Sequence, residues 1–401
     1  MRAGDCVLLG FLTTCSVACH DGGNGLDVSF DFADGRTSVR APRFAPGGVE
    51  AAPDGSLFIH GHAMGDGDDA APNGRNLLIK LRPDGRPDAT FAEGGVFVLP
   101  DVRDGFVDLA VLPDASVAAL GSIEGLPAVW KIAADGTVDA TFGDSGMAAI
   151  ELDGSGDART NAIALAPRDD GSLDIVGITS VTDEPVGWFA ARVSATGAVD
   201  IANAFPTMPD LWSGVLVDAT GSTLVFGERF TGTGAQPLVG RLTDALELDP
   251  TFGPDGYARI GAVDSDCREP IALVDGGYAA AGSGRQGASD FGGAVLLMTA
   301  AGELDPTFDG DGHLPINEDS VFAVAQLPSG DLLAQVQQAE TVPGPPEYVI
   351  RMSRAGIIDT SFGEAGRSTG DGMSVGIVTG ADGEIWAAGY QWPDTIYVRR
   401  I

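Results

Sequence analysis

The amino-acid sequence predicts an all-β protein made of seven sequence repeats, and three observations support this prediction. Glycine (58) and proline (24) are frequent among the 401 residues, which disfavours long helices and suits short strands joined by tight turns. One phrase recurs along the chain with a mean spacing of roughly 55 residues. The two ends of the chain also carry complementary parts of a single repeat.

The recurring phrase places an aspartate three residues before a phenylalanine. Clear copies read IKLRPDGRPDATFAEGG (79–95) and WKIAADGTVDATFGDSG (130–146), while ARVSATGAVDIANAFPT (191–207) and GLDVSF (25–30) are weaker copies. The anchoring phenylalanines are Phe30, Phe91, Phe142, Phe205, Phe252, Phe308 and Phe362. The preceding aspartates are Asp27, Asp88, Asp139, Asp249, Asp305 and Asp359.

A second phrase, strand-turn-strand, lies in every interval between these phenylalanines. One repeat therefore reads as four short strands, for example GVFVLP (95–100), DLAVLP (108–113), SVAALG (116–121) and AVWKI (128–132). Four antiparallel strands in a unit of this length are typical of a β-propeller blade. Seven copies of each phrase predict seven blades.

The ends of the chain predict how the ring closes. Residues 397–401 (YVRRI) match residues 129–132 (VWKI), after which the aspartate-phenylalanine phrase should follow. Residues 20–30 supply that phrase at the other end of the chain. We therefore expect the N- and C-terminal segments to pair in one blade, which removes the exposed edges of an open array.

The consensus K/R-L-x-x-x-G-x-x-D-x-[TS]-F-G-x-x-G resembles the delta-60 repeat family of bacterial tandem repeats. The resemblance implies a propeller-like protein of the cell envelope or the secreted fraction, without an established activity and without catalytic residues to transfer. The fourth copy departs from the pattern, because four residues instead of two separate Asp200 from Phe205 and no glycine follows.

The first 18 residues are predicted to be a signal peptide, followed by a single propeller domain over residues 20–401. Residues 7–18 form an apolar run too short for a permanent membrane span. Cys19 follows the small residues Ser16, Val17 and Ala18, an arrangement that resembles a bacterial lipobox. Lipid attachment at Cys19 and ordinary cleavage both remain open, and either makes the protein extracytoplasmic.

The charge balance limits the partners. Lysine and arginine number 23 against 57 aspartates and glutamates, a net charge of −34, which repels nucleic acid and an anionic membrane surface. Membrane contact is therefore expected only through an N-terminal lipid. We expect the protein to be a monomer, and we expect its partner to be a protein or glycan of the cell envelope.

The repeated aspartates are interpreted as turn residues, since an aspartate two positions before Thr or Ser suits an Asx-type turn. Asp309 and Asp311 resemble the start of a calcium loop, but the later acidic ligand is missing. Surface turns are therefore the main interpretation and calcium the alternative, with no cofactor predicted. His60 and His62 could face one side of a strand, yet no third ligand is near in sequence.

Trp212 and Trp392 lie in irregular stretches and are the candidates for an exposed binding face. No catalytic residues are predicted, because neither a nucleophile elbow nor a phosphate-binding loop is present in the required context. The sequence thus favours a non-enzymatic binding or scaffold propeller. The alternative is a hydrolase or lactonase-like enzyme with a divalent ion at the central axis, which requires non-repeated acids or histidines converging from different blades.

Overall fold

A computed structural model gives the structure of the protein. It describes residues 7–11, 14–20, 27–33, 35–41, 43–63, 75–99, 106–152, 159–181, 184–205, 210–231, 234–253, 256–259, 267–285, 291–316, 319–338, 347–380, 382–392 and 394–401. Within these ranges the regular elements are 31 β-strands and no helices. The same residues accordingly include no helix long and apolar enough to cross a membrane.

The strands form seven antiparallel sheets, six of which have four strands in meander order. The N-terminal strands are β1 (Val7–Phe11), β2 (Thr14–His20), β3 (Asp27–Ala33) and β4 (Arg36–Arg40). Blade 1 comprises β5 (Phe44–Ala51), β6 (Leu57–Ala63), β7 (Arg75–Leu81) and β8 (Val96–Leu99). Blade 2 comprises β9 (Asp108–Val111), β10 (Val117–Ile123), β11 (Leu126–Ile132) and β12 (Met147–Ala149). Blade 3 comprises β13 (Arg159–Pro167), β14 (Leu173–Val181), β15 (Glu184–Val193) and β16 (Val199–Phe205).

The remaining blades repeat this arrangement. Blade 4 comprises β17 (Asp210–Val217), β18 (Thr223–Thr231), β19 (Gly234–Leu242) and β20 (Tyr257–Arg259). Blade 5 comprises β21 (Arg268–Ala272), β22 (Tyr278–Arg285), β23 (Phe291–Met298) and β24 (His313–Ile316). Blade 6 comprises β25 (Ser320–Gln326), β26 (Leu332–Gln337), β27 (Glu347–Met352) and β28 (Ser368–Thr369). Blade 7 comprises β29 (Met373–Thr379), β30 (Ile385–Gln391), β31 (Thr395–Arg400) and the N-terminal strand β4.

Blade 7 closes the ring by pairing the two ends of the chain, as predicted. β31 runs antiparallel to β4, with Ile396 opposite Val39. The Arg400 amide also donates a hydrogen bond to the Gly35 carbonyl at 3.1 Å. Strands β3, β2 and β1 extend this sheet outward to seven strands.

The first strand of each blade lies on the inside of the ring. These inner strands contact one another in the cyclic order β5, β9, β13, β17, β21, β25, β29 and back to β5. The hydrophobic core lies between successive blades. One of its clusters, for example, joins Phe58 and Phe91 of blade 1 to Ala119 and Trp130 of blade 2.

A β-bulge recurs at one level of the inner strands. The register skips one residue in five of them, leaving an unpaired residue. The unpaired residues are Gly47, Ile163, Ser213, Phe322 and Val375. A bulge redirects a side chain relative to the regular pleat, and Phe322 is accordingly 42% exposed although it belongs to an inner strand.

The meander gives the propeller two different faces. The tight turn between the first and second strands and the aspartate-phenylalanine phrase between the third and fourth strands emerge on one side, which we call the repeat face. The hairpins between the second and third strands and the connections between blades emerge on the opposite side, the variable face. The shortest connection on the variable face comprises residues 124–125, and the longest comprises residues 64–74. The length of these connections therefore differs from blade to blade.

Candidate functional site: the central axis

The repeated aspartates form turns on the repeat face. Asp139 Oδ1 accepts hydrogen bonds from the Thr141 amide at 3.1 Å and the Thr141 hydroxyl at 2.6 Å. These two bonds hold the pKa of Asp139 below its usual value. The same pair of bonds occurs at Asp88, Asp249, Asp305 and Asp359. The Asp27 side chain lies outside the described residues.

The anchoring phenylalanines are packing residues. Phe30, Phe91, Phe142, Phe252, Phe308 and Phe362 are all buried. In blade 4 the Arg241 guanidinium lies 4.8 Å from the centre of the Phe252 ring and pairs with Asp249 at 2.7 Å. The phrase thus stabilises its own blade through a buried ring, a cation that contacts this ring, and an Asx turn.

The fourth copy has a different local structure. Residues 199–205 continue as strand β16 and pair with β15, so the Asx turn is missing here. Phe205 stacks on Trp188 with ring centres 3.9 Å apart and planes 12° apart. The longer spacing between Asp200 and Phe205, without a following glycine, explains why this copy forms a strand where the five copies with both an Asx turn and a glycine do not. The first copy, residues 25–30, also lies largely in a strand, β3.

Loss of one repeat-face turn should have a measurable but limited effect on stability. We expect Asp139→Ala to lower the free energy of unfolding by about 1–2 kcal/mol, since it removes two hydrogen bonds that each contribute roughly 0.5–1.5 kcal/mol. Urea unfolding of the purified protein measures the change. Asp144→Ala, which removes an exposed aspartate of the same phrase, is the matched control, and equal effects of the two substitutions would contradict the structural role of Asp139.

The two tryptophans expected on a binding face separate into opposite environments. The prediction for Trp212 was wrong: it is 1% exposed and packs edge-on against Trp188, with ring centres 5.5 Å apart. Its position in β17, just before the bulge at Ser213, turns the indole into the core between blades 3 and 4. Trp392 is 80% exposed at the β30–β31 hairpin, on the variable face.

The calcium-like acidic run lies in a repeat-face turn. Asp311 Oδ1 accepts a hydrogen bond from the His313 amide at 2.9 Å, and the Asp309 amide donates to the Ala355 carbonyl at 3.1 Å. Across the part of the chain that the structure describes, no three histidine, cysteine, aspartate or glutamate side chains are arranged to hold one metal ion. Two other acidic runs that resemble the start of a calcium loop, residues 66–69 and 264–266, lie outside the described residues, as does the Cys19 side chain.

Three carboxylates on inner strands depart from the repeat. The inner strands of the seven blades can be aligned on one backbone hydrogen bond, which closes the turn after each inner strand. In blade 1 the Ala52 amide donates this bond to the Ser56 carbonyl, and each other blade has an equivalent bond. Asp108 and Glu269 occupy one aligned position, where the other five blades carry Gly48, Ala164, Gly214, Ala323 and Gly376. Glu50 lies two residues farther along, where the other six blades carry Ala110, Ala166, Leu216, Ile271, Ala325 and Val378.

These three carboxylates influence one another electrostatically across the central axis, and we call them the axial site. Glu269 raises the pKa of Asp108, and Asp108 and Glu269 both raise the pKa of Glu50. Glu269 belongs to blade 5, which is adjacent neither to blade 1 nor to blade 2. Side chains of non-adjacent blades can approach one another only across the axis, so the axial site lies inside the ring formed by the inner strands.

Burial dominates the electrostatics of the axial site. It raises the pKa of Asp108 to about 7, although the carboxylate accepts hydrogen bonds at 2.8 Å from the amides of Leu109 and Leu165. Burial also raises the pKa of Glu50 well above its usual value and raises that of Glu269, which Arg268 partly opposes. Glu269 is water-accessible yet enclosed by protein, as expected in a narrow central channel.

His60 of β6 lies directly behind the inner strand of blade 1. It is 3% exposed. A Cβ atom on the bulge residue Gly47 would lie 2.5 Å from His60 Cε1 and 2.6 Å from Nδ1, so the imidazole occupies the space beside this glycine. Burial lowers the pKa of His60 to about 4 despite a hydrogen bond with the Phe106 backbone, and the ring is therefore neutral at pH 7.

None of the three axial carboxylates stood out in the sequence as a site residue. The available signal was an acidic residue at an inner-strand position that is glycine, alanine or another apolar residue in the remaining copies. Fold and site together define a seven-bladed β-propeller with a carboxylate-lined axis.

Residues 52–91 match the family model described as "Domain of unknown function (DUF5122) beta-propeller". This segment runs from the first turn of blade 1 to its anchoring phenylalanine, and it covers a single repeat. No curated protein matches the sequence.

Several solved structures are similar to this chain at low sequence identity. A putative oxidoreductase (glucose dehydrogenase) from Thermus thermophilus is 15% identical with a TM-score of 0.45, over 73% of this chain and 96% of that one. Drosophila Plexin A in complex with Semaphorin 1b is 9% identical with a TM-score of 0.45, over 90% and 88%. A protein of unknown function from Dyadobacter fermentans is 10% identical with a TM-score of 0.42, over 90% and 95%. Similarity at this level carries no argument about function.

Proposed function

We propose that this protein is a non-enzymatic binding or scaffold propeller that acts outside the cytoplasm and recognises its ligand on the variable face. The observation that supports the proposal is the segregation of the non-repeated features. The repeat face is occupied by turns whose polar groups are already hydrogen-bonded. Trp392 lies on the variable face, and Asp108 and Glu269 lie where their inner strands start from it.

An exposed tryptophan suits either a protein or a glycan partner. Its ring offers a large apolar contact area at low conformational cost, and its indole N–H can donate a hydrogen bond. Trp392 exposes 80% of its surface in a short hairpin between two paired strands, so it is presented by a fixed scaffold. Tryptophan is among the residue types that most often carry the binding energy of a protein interface.

The location outside the cytoplasm rests on the N-terminal sequence. Residues 1–18 carry the features of a signal peptide. Cleavage after Ala18 removes β1 and most of β2 from the outer edge of the closing sheet and leaves Cys19 as the first mature residue. A lipid on Cys19 then anchors the propeller to a membrane, and its absence leaves a secreted protein. Intact-mass measurement of the protein isolated from its native host distinguishes the two forms by the mass of the acyl chains.

The recognition face is tested by comparing one substitution on each face. Immobilised wild-type protein, Trp392→Ala and Ile357→Ala are exposed to a glycan array and to solubilised envelope proteins of the native host. Ile357 is the control because it is 69% exposed on the repeat face. We expect Trp392→Ala to reduce binding of the captured ligand at least tenfold and Ile357→Ala to leave it unchanged; the reverse pattern, or equal binding by all three proteins, refutes the assignment.

A hydrolase or lactonase-like enzyme with a divalent ion at the axis is the second candidate. The observation that favours it is that non-repeated carboxylates of three blades, Glu50, Asp108 and Glu269, influence one another electrostatically. Titration calorimetry with Ca²⁺, Mg²⁺, Mn²⁺ and Zn²⁺, followed by a screen of esters and lactones, tests this candidate. One tightly bound ion that is lost in Glu50→Gln, together with turnover that requires the ion, would replace the binding-protein proposal with an enzymatic one.

A further inference from the structure

We propose that strand β16, the outer edge of blade 3, pairs with the same strand of a second copy of this chain and joins two propellers in a symmetric dimer. This proposal differs from the monomer expected from the sequence. It concerns the outside of the ring and does not depend on recognition of a ligand by the variable face.

β16 is an exception among the outer strands of the blades. The outer strands of blades 1, 2, 4, 5 and 6 contain only two to four residues, whereas β16 contains seven. The outer strand of blade 7, β4, is covered by β3. β16 is the last strand of its sheet, and among the described residues it pairs with β15 alone. A long free edge offers unpaired N–H and C=O groups to another strand, and proteins commonly avoid this by keeping edges short or covered.

The edge is held in a fixed conformation. Residues 201–205 pair with residues 188–192 of β15 without a register shift. The Phe205 ring stacks on Trp188, with ring centres 3.9 Å apart, and Asn203 Nδ2 donates a hydrogen bond to the Ala245 carbonyl of blade 4 at 2.7 Å. A strand that is already ordered loses little conformational entropy when a second strand pairs with it.

The side chains of this edge do not protect it from pairing. Residues 201–205 read IANAF and include no charged residue. Ile201 and Phe205 pack toward blade 4 and Ala202 packs toward blade 2, so the strand has the regular alternation of a pleated edge. Ala204 is exposed and the other four residues are partly exposed. Charged side chains, which commonly block edge-to-edge pairing, are therefore missing from this segment.

Antiparallel pairing of two β16 strands about Asn203 is self-complementary. Ile201 then lies opposite Phe205 of the second copy, and Ala202 lies opposite its Ala204. Pairs of a β-branched and an aromatic residue stabilise neighbouring strands. The two Asn203 side chains meet on the two-fold axis, where amides can both donate and accept hydrogen bonds. An interface of this kind uses the same surface on both copies and closes as a dimer.

Strand β3 is a less suitable edge for self-pairing. Its outer side pairs with β2, and removal of residues 1–18 would free most of it. β3 contains Asp27 and Asp31 within seven residues, and charges of one sign on an edge oppose pairing of identical strands. We therefore assign the self-association to β16.

The net charge of the chain predicts how salt affects the dimer. Two copies that each carry a net charge of −34 repel one another at low ionic strength. Salt screens this repulsion, whereas the strand pairing itself involves no charged side chain. Self-association should therefore strengthen from 20 mM to 300 mM NaCl. A contact between this acidic chain and a basic partner would have the opposite salt dependence.

Sedimentation equilibrium of the purified protein between 1 and 100 μM tests the proposal. We expect a monomer–dimer equilibrium for the wild type and a dissociation constant at least tenfold higher for Asn203→Asp, which places two carboxylates opposite each other on the axis. Asn161→Asp is the matched control, because it adds the same charge at an exposed position of the inner strand of the same blade. It should self-associate like the wild type.

A cysteine variant gives a readout that does not depend on a loss. Directly opposite residues of an antiparallel pair have Cα atoms about 4.5–5.5 Å apart, which suits a disulfide. Asn203→Cys should therefore form a disulfide-linked dimer with oxidised glutathione, whereas the wild type and Thr369→Cys, on the short outer strand of blade 6, should not. Three results would overturn the proposal. These are a monomer at 100 μM in 300 mM NaCl, a dimer that Asn203→Asp leaves unchanged, and hydrogen-exchange protection of residues 199–205 that requires added envelope proteins of the native host, since another protein would then occupy the edge.

Discussion

Arg399→Met is expected to lower the free energy of unfolding by about 3–5 kcal/mol, the range for removing one partner of a buried ion pair. The Glu347 side chain is completely buried, and its Oε1 accepts hydrogen bonds from Arg399 Nε at 3.0 Å and Nη2 at 2.9 Å. Glu347 begins β27 of blade 6, whereas Arg399 belongs to β31 of the closing blade. The substitution therefore leaves an unpaired carboxylate in the interface next to the ring closure.

The surrounding bonds do not replace the lost arginine. The Tyr397 hydroxyl donates to Glu347 Oε1 at 3.2 Å, and Gln335 Nε2 lies 3.5 Å from Oε2. Arg399 also donates to the Ser368 hydroxyl and carbonyl, each at 2.8 Å, so the substitution removes a second contact between the blades. Burial raises the pKa of Glu347 even with Arg399 present, and removal of the arginine should raise it further.

This raised pKa predicts a pH dependence for the Arg399→Met variant. Its stability deficit should be fully present above the folded-state pKa of Glu347 and should shrink as the pH falls toward the unfolded-state value. Urea unfolding of the wild type and the variant at pH 7.5 and pH 5.5 measures the deficit and its decrease with falling pH. Arg400→Met removes a surface arginine paired with Glu384 and should cost less than about 1 kcal/mol. The Glu347→Gln/Arg399→Met double variant should recover part of the loss, and an equal deficit in Arg399→Met and Arg400→Met contradicts the argument.

The fold could be predicted because its determinants recur in the sequence. The Asp139–Thr141 turn, the buried ring of Phe142 and the glycine at 146 appear together in most copies, so noise in one copy does not hide the pattern. Closure by β4 and β31 followed from matching the two ends to an internal repeat. The same turn, phenylalanine and glycine recur in successive copies, so each copy supports the same blade structure. The architecture could therefore be predicted from the sequence without knowledge of long-range contacts.

The axial site was not predictable in the same way, since its residues are exceptions to the repeat. Asp108 and Glu269 are more than 150 positions apart, as 269 − 108 = 161, and only ring closure brings them across the axis from each other. Trp212 was placed wrongly for a related reason, because its irregular sequence context indicated a loop whereas the bulge at Ser213 directs the indole inward. Orientation at a bulge is a tertiary property that composition and spacing do not encode.

The axial carboxylates should make the protein less stable as the pH rises from about 4 to 7. Asp108 has its pKa raised to about 7 in the folded chain, against about 3.9 in an unfolded one. A group whose pKa is raised by folding favours the native state below its unfolded pKa, and this advantage is lost as the pH rises through the folded pKa. At about 1.4 kcal/mol per unit the loss from Asp108 alone is up to about 4 kcal/mol.

The turn aspartates limit this effect on the acid side. Hydrogen bonds from Ser361 and Arg351 lower the pKa of Asp359 to about 2, so its contribution is present above its unfolded pKa and is lost as the pH falls below about 4. Opposite shifts on the axis and on the repeat face should therefore place the stability maximum near pH 4–5 and not at neutrality.

Urea unfolding at intervals from pH 3 to pH 8 measures this profile, with Asp108→Asn as the decisive variant. The asparagine cannot ionise, so the slope between pH 4 and 7 should flatten by the share that Asp108 contributes. The variant should also lose some stability at every pH, because the amides of Leu109 and Leu165 donate to different oxygens of Asp108 and asparagine keeps only one acceptor oxygen. Asp382→Asn, in an exposed repeat-face turn, should retain the wild-type slope. An unchanged slope in Asp108→Asn would mean that Asp108 keeps an ordinary affinity for protons in the folded chain and that the axis is open to bulk water.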